Sequence, residues 1–261
     1  MVQIRGGAKR MKPTNENYFS PSINTEFMSA SQFNSFLKCP SCAIAEIRGE
    51  YKKPETTALL IGKYIDAYFE NTIEIFESEY PEIFKKDGSL KSEYLKANDI
   101  IERVKRDKIF HRHCTGLQQQ IMIGEIEGIP FKIMIDSLLP DMTVDRKFMA
   151  NCDDKYYDGE YMPFWKYWGY DIQAAVYQEI RYQNEGIRKP FVLAVATKET
   201  EPDLRLIKFS QETLNNALEM VKTYAPQFNL IKTGILDANK CGRCDWCKSQ
   251  KILKENEYEE V

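Results

Sequence analysis

No run of about 18 apolar residues occurs in this 261-residue sequence, so no membrane-spanning helix is expected. Arg5, Lys9, Arg10 and Lys12 are not followed by an apolar segment, which argues against a secretory signal and makes the cytoplasm the expected compartment. A basic excess is missing too: 36 Lys and Arg stand against 39 Asp and Glu, a formal net charge of −3. Bulk capture of nucleic acid by counterion release is therefore disfavoured, and any DNA site has to be local. There is no internal repeat and no low-complexity block. Nor is the cysteine count even. Three of the seven are packed as Cys241-Gly-Arg-Cys244-Asp-Trp-Cys247, too tight for an ordinary disulfide framework and suited to thiolate ligation in a reducing compartment. What is present is 43% hydrophobic content in a chain long enough to bury a substantial core, as one large domain or one domain with appendages.

Residues 1–28 are polar and turn-rich, with Pro13, Asn15, Asn17, Pro21 and Asn24, and they predict an irregular arm. A first helix starts at Ser29 or Ser31. Ser29 and Gln32 make a capping-box pattern, and Phe33, Phe36, Leu37, Ile44 and Ile47 follow at near-helical spacing before Gly49. The stripe Leu60, Ile61, Tyr64, Ile65 and Tyr68 predicts a second, largely buried helix over about 57–76, on which Asp66 needs a reason. A charged helix over about 87–107 reads as an outer helix or lid. Strands are expected near 119–126, 129–138 and 142–149, joined by Glu127-Gly128 and Pro140-Asp141 turns into an antiparallel meander. A helix over 170–185 then crosses to a strand at 191–197 that opens after Pro190. A strand near 204–209 and a long helix over about 211–231 precede the cysteine-bearing tail. The expected fold is α/β, a central mixed sheet flanked by helices, with an arm (1–28), a core domain (29–235) and a tail (236–261) packed on that domain.

Alternation along the 129–138 strand sends Phe131, Ile133 and Ile135 to one face and Lys132, Met134 and Asp136 to the other. On the next strand Thr143, Asp145 and Lys147 share a face, so neighbouring strands converge Asp136, Asp145 and Lys147. Carboxylates so close raise each other's pKa unless a cation neutralises them, and hard oxygen ligands suit Mg²⁺ or Mn²⁺. The plainer alternative is a solvent-facing edge of ion pairs worth under about 1 kcal/mol. Gln173 and Tyr177, four apart on the 170–185 helix, share a face that can reach the same polar cleft.

Taken in order, the helix Gly62-Lys-Tyr-Ile-Asp66, the strand Asp136, Asp145-Arg-Lys147 and the helix Gln173-Ala-Ala-Val-Tyr177 resemble the RecB-like branch of the PD-(D/E)XK nucleases. The resemblance covers most of the chain and implies a restriction-endonuclease-like core. Within that branch the chain is most similar to phage and prophage RecE-type, lambda-exonuclease-like recombination exonucleases. That likeness implies Mg²⁺- or Mn²⁺-dependent cutting of double-stranded DNA from an end. It also implies that the 5′-ended strand is degraded to leave a 3′ overhang for a RecT-type single-strand annealing protein, in the bacterial host cytoplasm if phage-encoded. A ring-like homo-oligomer is expected, which would let an acidic protein hold DNA topologically. By the same likeness, Asp136 and Asp145 bind metal, Lys147 orients or activates the attacking water, and Gln173 and Tyr177 act from their helix. Aspartate stands at 66 where relatives place histidine, although a carboxylate there still suits a hard metal as third ligand. Its plainer alternative is a surface pair with Lys63. Glu125 competes as the third acid but sits beside Glu127 and Gly128 in what suits an exposed hairpin, so Asp66 is favoured. Ser31 falls where relatives carry a Ser/Thr-rich helix start near a DNA phosphate, and simple capping explains it equally well.

The second constellation joins Cys241, Cys244 and Cys247 to a distant fourth ligand, Cys39 in Phe36-Leu-Lys-Cys39-Pro40, with Cys42 as the alternative one helical turn along. The layout resembles iron–sulfur RecB-like nucleases, which hold a 4Fe–4S cluster on one cysteine before the core and three after it. Those relatives lengthen the last gap, and no proline follows nearby as in a ferredoxin run, so zinc is the other candidate occupant. Free thiols are the plainest reading. His111-Arg-His113-Cys114 cannot turn adjacent ligands to one ion and reads as surface chemistry, while Cys114 and Cys152 have no partner spacing. Phe164, Trp165, Tyr167 and Trp168 read as packing anchors or as a stacking lid. The rival functions are an iron–sulfur nuclease acting on single-stranded ends and a non-catalytic DNA-end-binding protein.

Overall fold

The computed structural model describes residues 11–253, so Arg5, Lys9 and Arg10 of the expected arm and the tail beyond 253 lie outside the described residues. Helices α1 (Pro21–Glu26), α2 (Ala30–Lys38), α3 (Pro40–Arg48), α4 (Thr57–Glu70), α5 (Ile73–Glu79), α6 (Lys96–Arg106) and α7 (Lys108–Cys114) come first. Strands β1 (Leu117–Ile126), β2 (Ile129–Leu138) and β3 (Thr143–Met149) follow as an antiparallel meander. A hairpin of β4 (Lys155–Tyr157) and β5 (Glu160–Met162), the short α8 (Phe164–Tyr167) and the long α9 (Tyr170–Glu185) then carry the chain over to β6 (Phe191–Thr197). The last elements are β7 (Leu204–Lys208), α10 (Gln211–Lys232) and α11 (Asp245–Ser249).

The central sheet has the order β1-β2-β3-β6-β7, with β3 and β6 parallel and the other pairs antiparallel, which is the mixed sheet expected. All seven residues of β6 are buried, as an apolar strand covered on both faces must be. Its alternation feeds two cores. Phe191, Leu193 and Val195 pack with α2, α3, α9 and α10, while Val192, Ala194 and Ala196 pack with α4, α6 and α7. The sheet therefore lies between two helical layers. Among the described residues, no helix is long and apolar enough to cross a membrane.

Several boundaries differ from those the sequence predicts, each for a local reason. The arm is not wholly irregular, because Ser20 caps α1 and Pro21 supplies its preset first-turn φ. The helix predicted to run unbroken to Ile47 is two, because Cys39 turns extended before Pro40, whose ring disfavours a helical predecessor. The helix predicted over 57–76 ends at Glu70, where Asn71 takes a left-handed φ of 58°. The predicted outer helix becomes regular only at Lys96, and it is no loose lid: Ala97, Ile100 and Val104 are fully buried. Cys114, placed on the surface by its histidine neighbours, is fully buried at the end of α7.

Candidate active site

One edge of β2 is shared between two partners. Near its end, Ser137 and Leu138 pair with Val144 and Thr143 of β3, while near its start Met28 N donates to Pro130 O and Lys132 N donates to Met28 O. Residues 133–136 have no strand partner on that side among the described residues, and β2 and β3 part there. A cleft of about 800 Å³ opens at the fork, lined from α2, α4, β2, β3 and α9.

Asp136 stands at the fork. Its Oδ2 accepts the N–H of Arg146 at 2.9 Å, a donor that the parting strands leave without a ladder partner. Across the fork Asp145 is 2% exposed, and its Oδ1 accepts the Nε2 of Gln173 at 2.6 Å. The Lys147 ammonium lies directly against the buried Asp145 Oδ2 as an ion pair. Burial pushes the Asp145 carboxyl up to about 7; Lys147 opposes the rise and Asp136 adds to it. Burial also works against the charge on Lys147, yet Asp145 and then Asp136 hold its pKa above the ordinary lysine value. The Tyr177 hydroxyl donates to Met134 O at 2.8 Å, where β2 has no strand partner on its β3 side. Gln173 and Tyr177 thus share the face their spacing predicts, one bracing Asp145 and the other the backbone two residues before Asp136.

Asp66 also lines the cleft, from α4, but it does not pair with Lys63, whose ammonium donates to Glu55 at 2.5 Å and to the Tyr80 hydroxyl at 2.7 Å. Asp66 Oδ1 instead accepts Arg146 Nε at 3.0 Å, and Glu70, one turn along α4, accepts an Arg146 terminal nitrogen at 3.0 Å. The other terminal nitrogen donates to Gln118 Oε1 at 2.6 Å and to Cys114 O at 3.1 Å. Burial raises the Asp66 pKa and Arg146 pulls it back, while 35% side-chain exposure towards the cleft moderates both. Sequence reasoning missed Glu70 and Arg146. The Asp66-x-x-x-Glu70 spacing was a signal for the first, and the alternation of β3, which sends Arg146 away from Lys147 and towards α4, was one for the second.

Asp66, Asp136 and Asp145, carboxylates on one cleft, fit a hard divalent ion by donor chemistry, and such an ion would share the buried Asp145 Oδ2 with the Lys147 ammonium. The three are not drawn into one knot, since each is held by a different N–H or ammonium group. Ser29 caps α2 through Gln32 N, and Ser31, exposed at the cleft wall, shares a hydrogen bond with the Ser29 hydroxyl at 2.9 Å. Glu125 is exposed on β1 and does not line the cleft. Of the predicted aromatic lid, Phe164 is buried and Trp165 packs edge-on against Phe209, whereas Trp168 opens on the cleft with the Lys38 ammonium 5.5 Å from its ring centre.

A separate cluster forms where the tail meets the α2–α3 junction. The sulfurs of Cys39, Cys241, Cys244 and Cys247 all lie within 4.8 Å of one another, a grouping that could hold a metal ion, while Cys42 turns its sulfur to Glu46 Oε1 at 3.6 Å.

A family model described as a PDDEXK-like domain of unknown function, DUF3799, matches residues 29–250. The chain belongs to this family. Its mixed sheet between helical layers is the PDDEXK-like architecture, in agreement with the resemblance carried by the motifs. The crystal structure of a protein from Eubacterium rectale, described as a candidate exonuclease, superposes with a TM-score of 0.89 at 40% identity, covering 94% of this chain and 96% of that one. The crystal structure of SSO0001 aligns over 74% of this chain and 85% of that one at 12% identity and a TM-score of 0.28, too loose to bear on the fold. No curated protein matches the chain.

Proposed function

We propose that this DUF3799 chain is a divalent-metal-dependent exodeoxyribonuclease that degrades the 5′-ended strand of linear duplex DNA and leaves 3′ overhangs for single-strand annealing recombination. Membership of a PDDEXK-like family and the likeness to a candidate exonuclease support a nuclease. The observation that carries the proposal is the fork itself: the buried Asp145 carboxylate faces Asp136 where β2 and β3 part and has the Lys147 ammonium against it.

In this assignment Asp136 and Asp145 hold Mg²⁺ or Mn²⁺, with Asp66 as the third carboxylate on the same cleft. A divalent ion supplies Lewis-acid polarisation of the scissile phosphate, a more acidic water for in-line attack and stabilisation of the leaving 3′ oxygen. The chain's own residues do the placing. Gln173 fixes the rotamer of Asp145, Tyr177 holds the β2 backbone, and Arg146 holds both Asp66 and the Asp136 carboxylate. Lys147, kept protonated by two carboxylates, presents an ammonium to the charge that develops on the phosphate. In the same assignment Ser31, which lines the cleft from the start of α2, donates to a DNA phosphate. A ring-like oligomer in the cytoplasm, handing its product to a RecT-type annealing protein, completes the proposal.

Linear duplexes labelled at the 5′ or the 3′ end, incubated with Mg²⁺ or with chelator, test it. Release of 5′ label that chelator abolishes is expected, with Lys147→Ala lowering the rate about 10²–10³-fold while the fold is kept. Cutting confined to single strands favours the end-trimming alternative. End binding without any cleavage in the parent chain contradicts the proposal.

A further inference from the structure

We propose that Cys39, Cys241, Cys244 and Cys247 are a site for one tetrahedral zinc ion, not for a four-iron cluster, and that the ion fastens the tail to the α2–α3 junction. The sulfur spacing decides between the two occupants. With zinc–sulfur bonds of about 2.3 Å, a tetrahedron of thiolates has edges of about 3.8 Å. Cys39 and Cys247 stand 3.5 Å apart, Cys241 and Cys247 stand 3.9 Å apart, and all four sulfurs fall within 4.8 Å of one another. A cubane gives each thiolate its own iron and seats the sulfurs outside a four-iron, four-sulfide body, roughly 6 Å apart. Sulfurs this close together match the edges of a single-ion tetrahedron and not the wider spacing of that body. A disulfide is excluded as well, since its sulfurs would lie about 2.05 Å apart.

The backbone around the cluster is arranged to receive thiolates. Cys39 Sγ accepts the N–H of Cys42 at 3.5 Å, Cys241 Sγ that of Cys244 at 3.4 Å, and Cys244 Sγ that of Cys247 at 3.4 Å. Three sulfurs of the four therefore have an amide donor three residues on. Each thiol gives its proton to solvent as its sulfur ligates.

Among the described residues the tail is also fastened by Ser41 N donating to Asn239 O at 3.1 Å, Trp246 Nε1 donating to Ser41 Oγ at 3.1 Å, the Tyr51 and Trp246 rings 5.7 Å apart, and Ala238 packed on the core. Helix α11 has only five residues, too few to hold its own shape without a tertiary tie. The ion supplies that tie, and it does so at the C-terminal end of α2, a helix that lines the cleft from Ala30 to Lys38.

The cysteine site shares no residue with the cleft at the fork, so its test is independent of whether the chain cuts DNA. Elemental analysis of the purified full-length chain is expected to give about one zinc and no iron or acid-labile sulfide. Replacing zinc with cobalt(II) is expected to produce the intense visible bands of a tetrahedral thiolate site. Cys247→Ser and Cys241→Ser should abolish those bands, and Cys42→Ser should keep them. Four irons with sulfide and brown absorbance would overturn the proposal, as would a chain that takes up neither added zinc nor cobalt, or cobalt bands that survive Cys247→Ser.

Discussion

Arg146 is the residue on which the cleft's acidic wall depends. Its guanidinium is fully buried and joins Asp66, Glu70, Gln118 and the Cys114 carbonyl, while its own N–H holds Asp136. Arg146→Met keeps the volume and strands two carboxylates. A loss of about 3–5 kcal/mol is expected in urea unfolding, because breaking a buried pair leaves uncompensated charge; a loss under about 1 kcal/mol would show that the network adds little. Asp136, Asp145, Lys147, Gln173 and Tyr177 were legible in the sequence because strand and helix periods fix which way side chains point. Arg146 and Glu70 were not, because their meeting depends on α4 lying across the opposite face of β3, which no local period encodes.

At the scale of elements, α9 is aimed by its start. Gly169 caps it with φ 71°, and a Cβ there would come within 2.6 Å of Asn34 Oδ1, while Asn34 Nδ2 donates to Gly169 O at 3.1 Å. This close approach ties α2 to the helix that carries Gln173 and Tyr177. Gly169→Ala is expected to cost about 1–3 kcal/mol through strain and the Asn34 clash; thermal unfolding checks it, and an unchanged midpoint would show that the contact yields freely. The strands at 129–138 and 191–197 and the helix over 170–185 were legible to the residue, since long periodic segments dominate their own conformation. Breaks were not. Cys39-Pro40 and Asn71 interrupt apolar patterns that continue through them, so single-residue backbone preferences overrode the periodicity. The parting of β2 from β3 was invisible for another reason: it needs Met28, a hundred residues away, to occupy the β2 edge.

For the whole molecule, buried lysines shape stability against pH. Lys232 is 6% exposed at the end of α10, where it donates to Phe27 O at 2.6 Å, and burial, helped by Lys132, lowers its pKa to about 7. In the unfolded chain a lysine keeps a pKa of about 10.4. Between those values the unfolded chain binds the proton and the folded chain does not, so stability rises with pH from about 7 to about 10.4 and the gain is lost as pH falls back through 7. Urea midpoints of the parent measured against Lys232→Met should diverge in the parent's favour over that window. A difference that stays flat would place the Lys232 charge in contact with water. Under the proposed function, a net charge of −3 leaves DNA engagement to the cleft, where Lys38, Lys53, Lys63, Lys132 and Lys147 stand among the carboxylates, and to an ion neutralising Asp136 and Asp145, rather than to the surface at large.

Calorimetric titration of Mn²⁺ into the metal-free chain, beside Asp136→Asn and Asp145→Asn, bears on that dependence most directly. The parent is expected to bind the ion, and each variant to bind at least about tenfold more weakly while unfolding no more easily than the parent. A parent that binds no Mn²⁺, or variants that bind it as tightly as the parent does, would contradict joint capture of a cation by the two strand carboxylates.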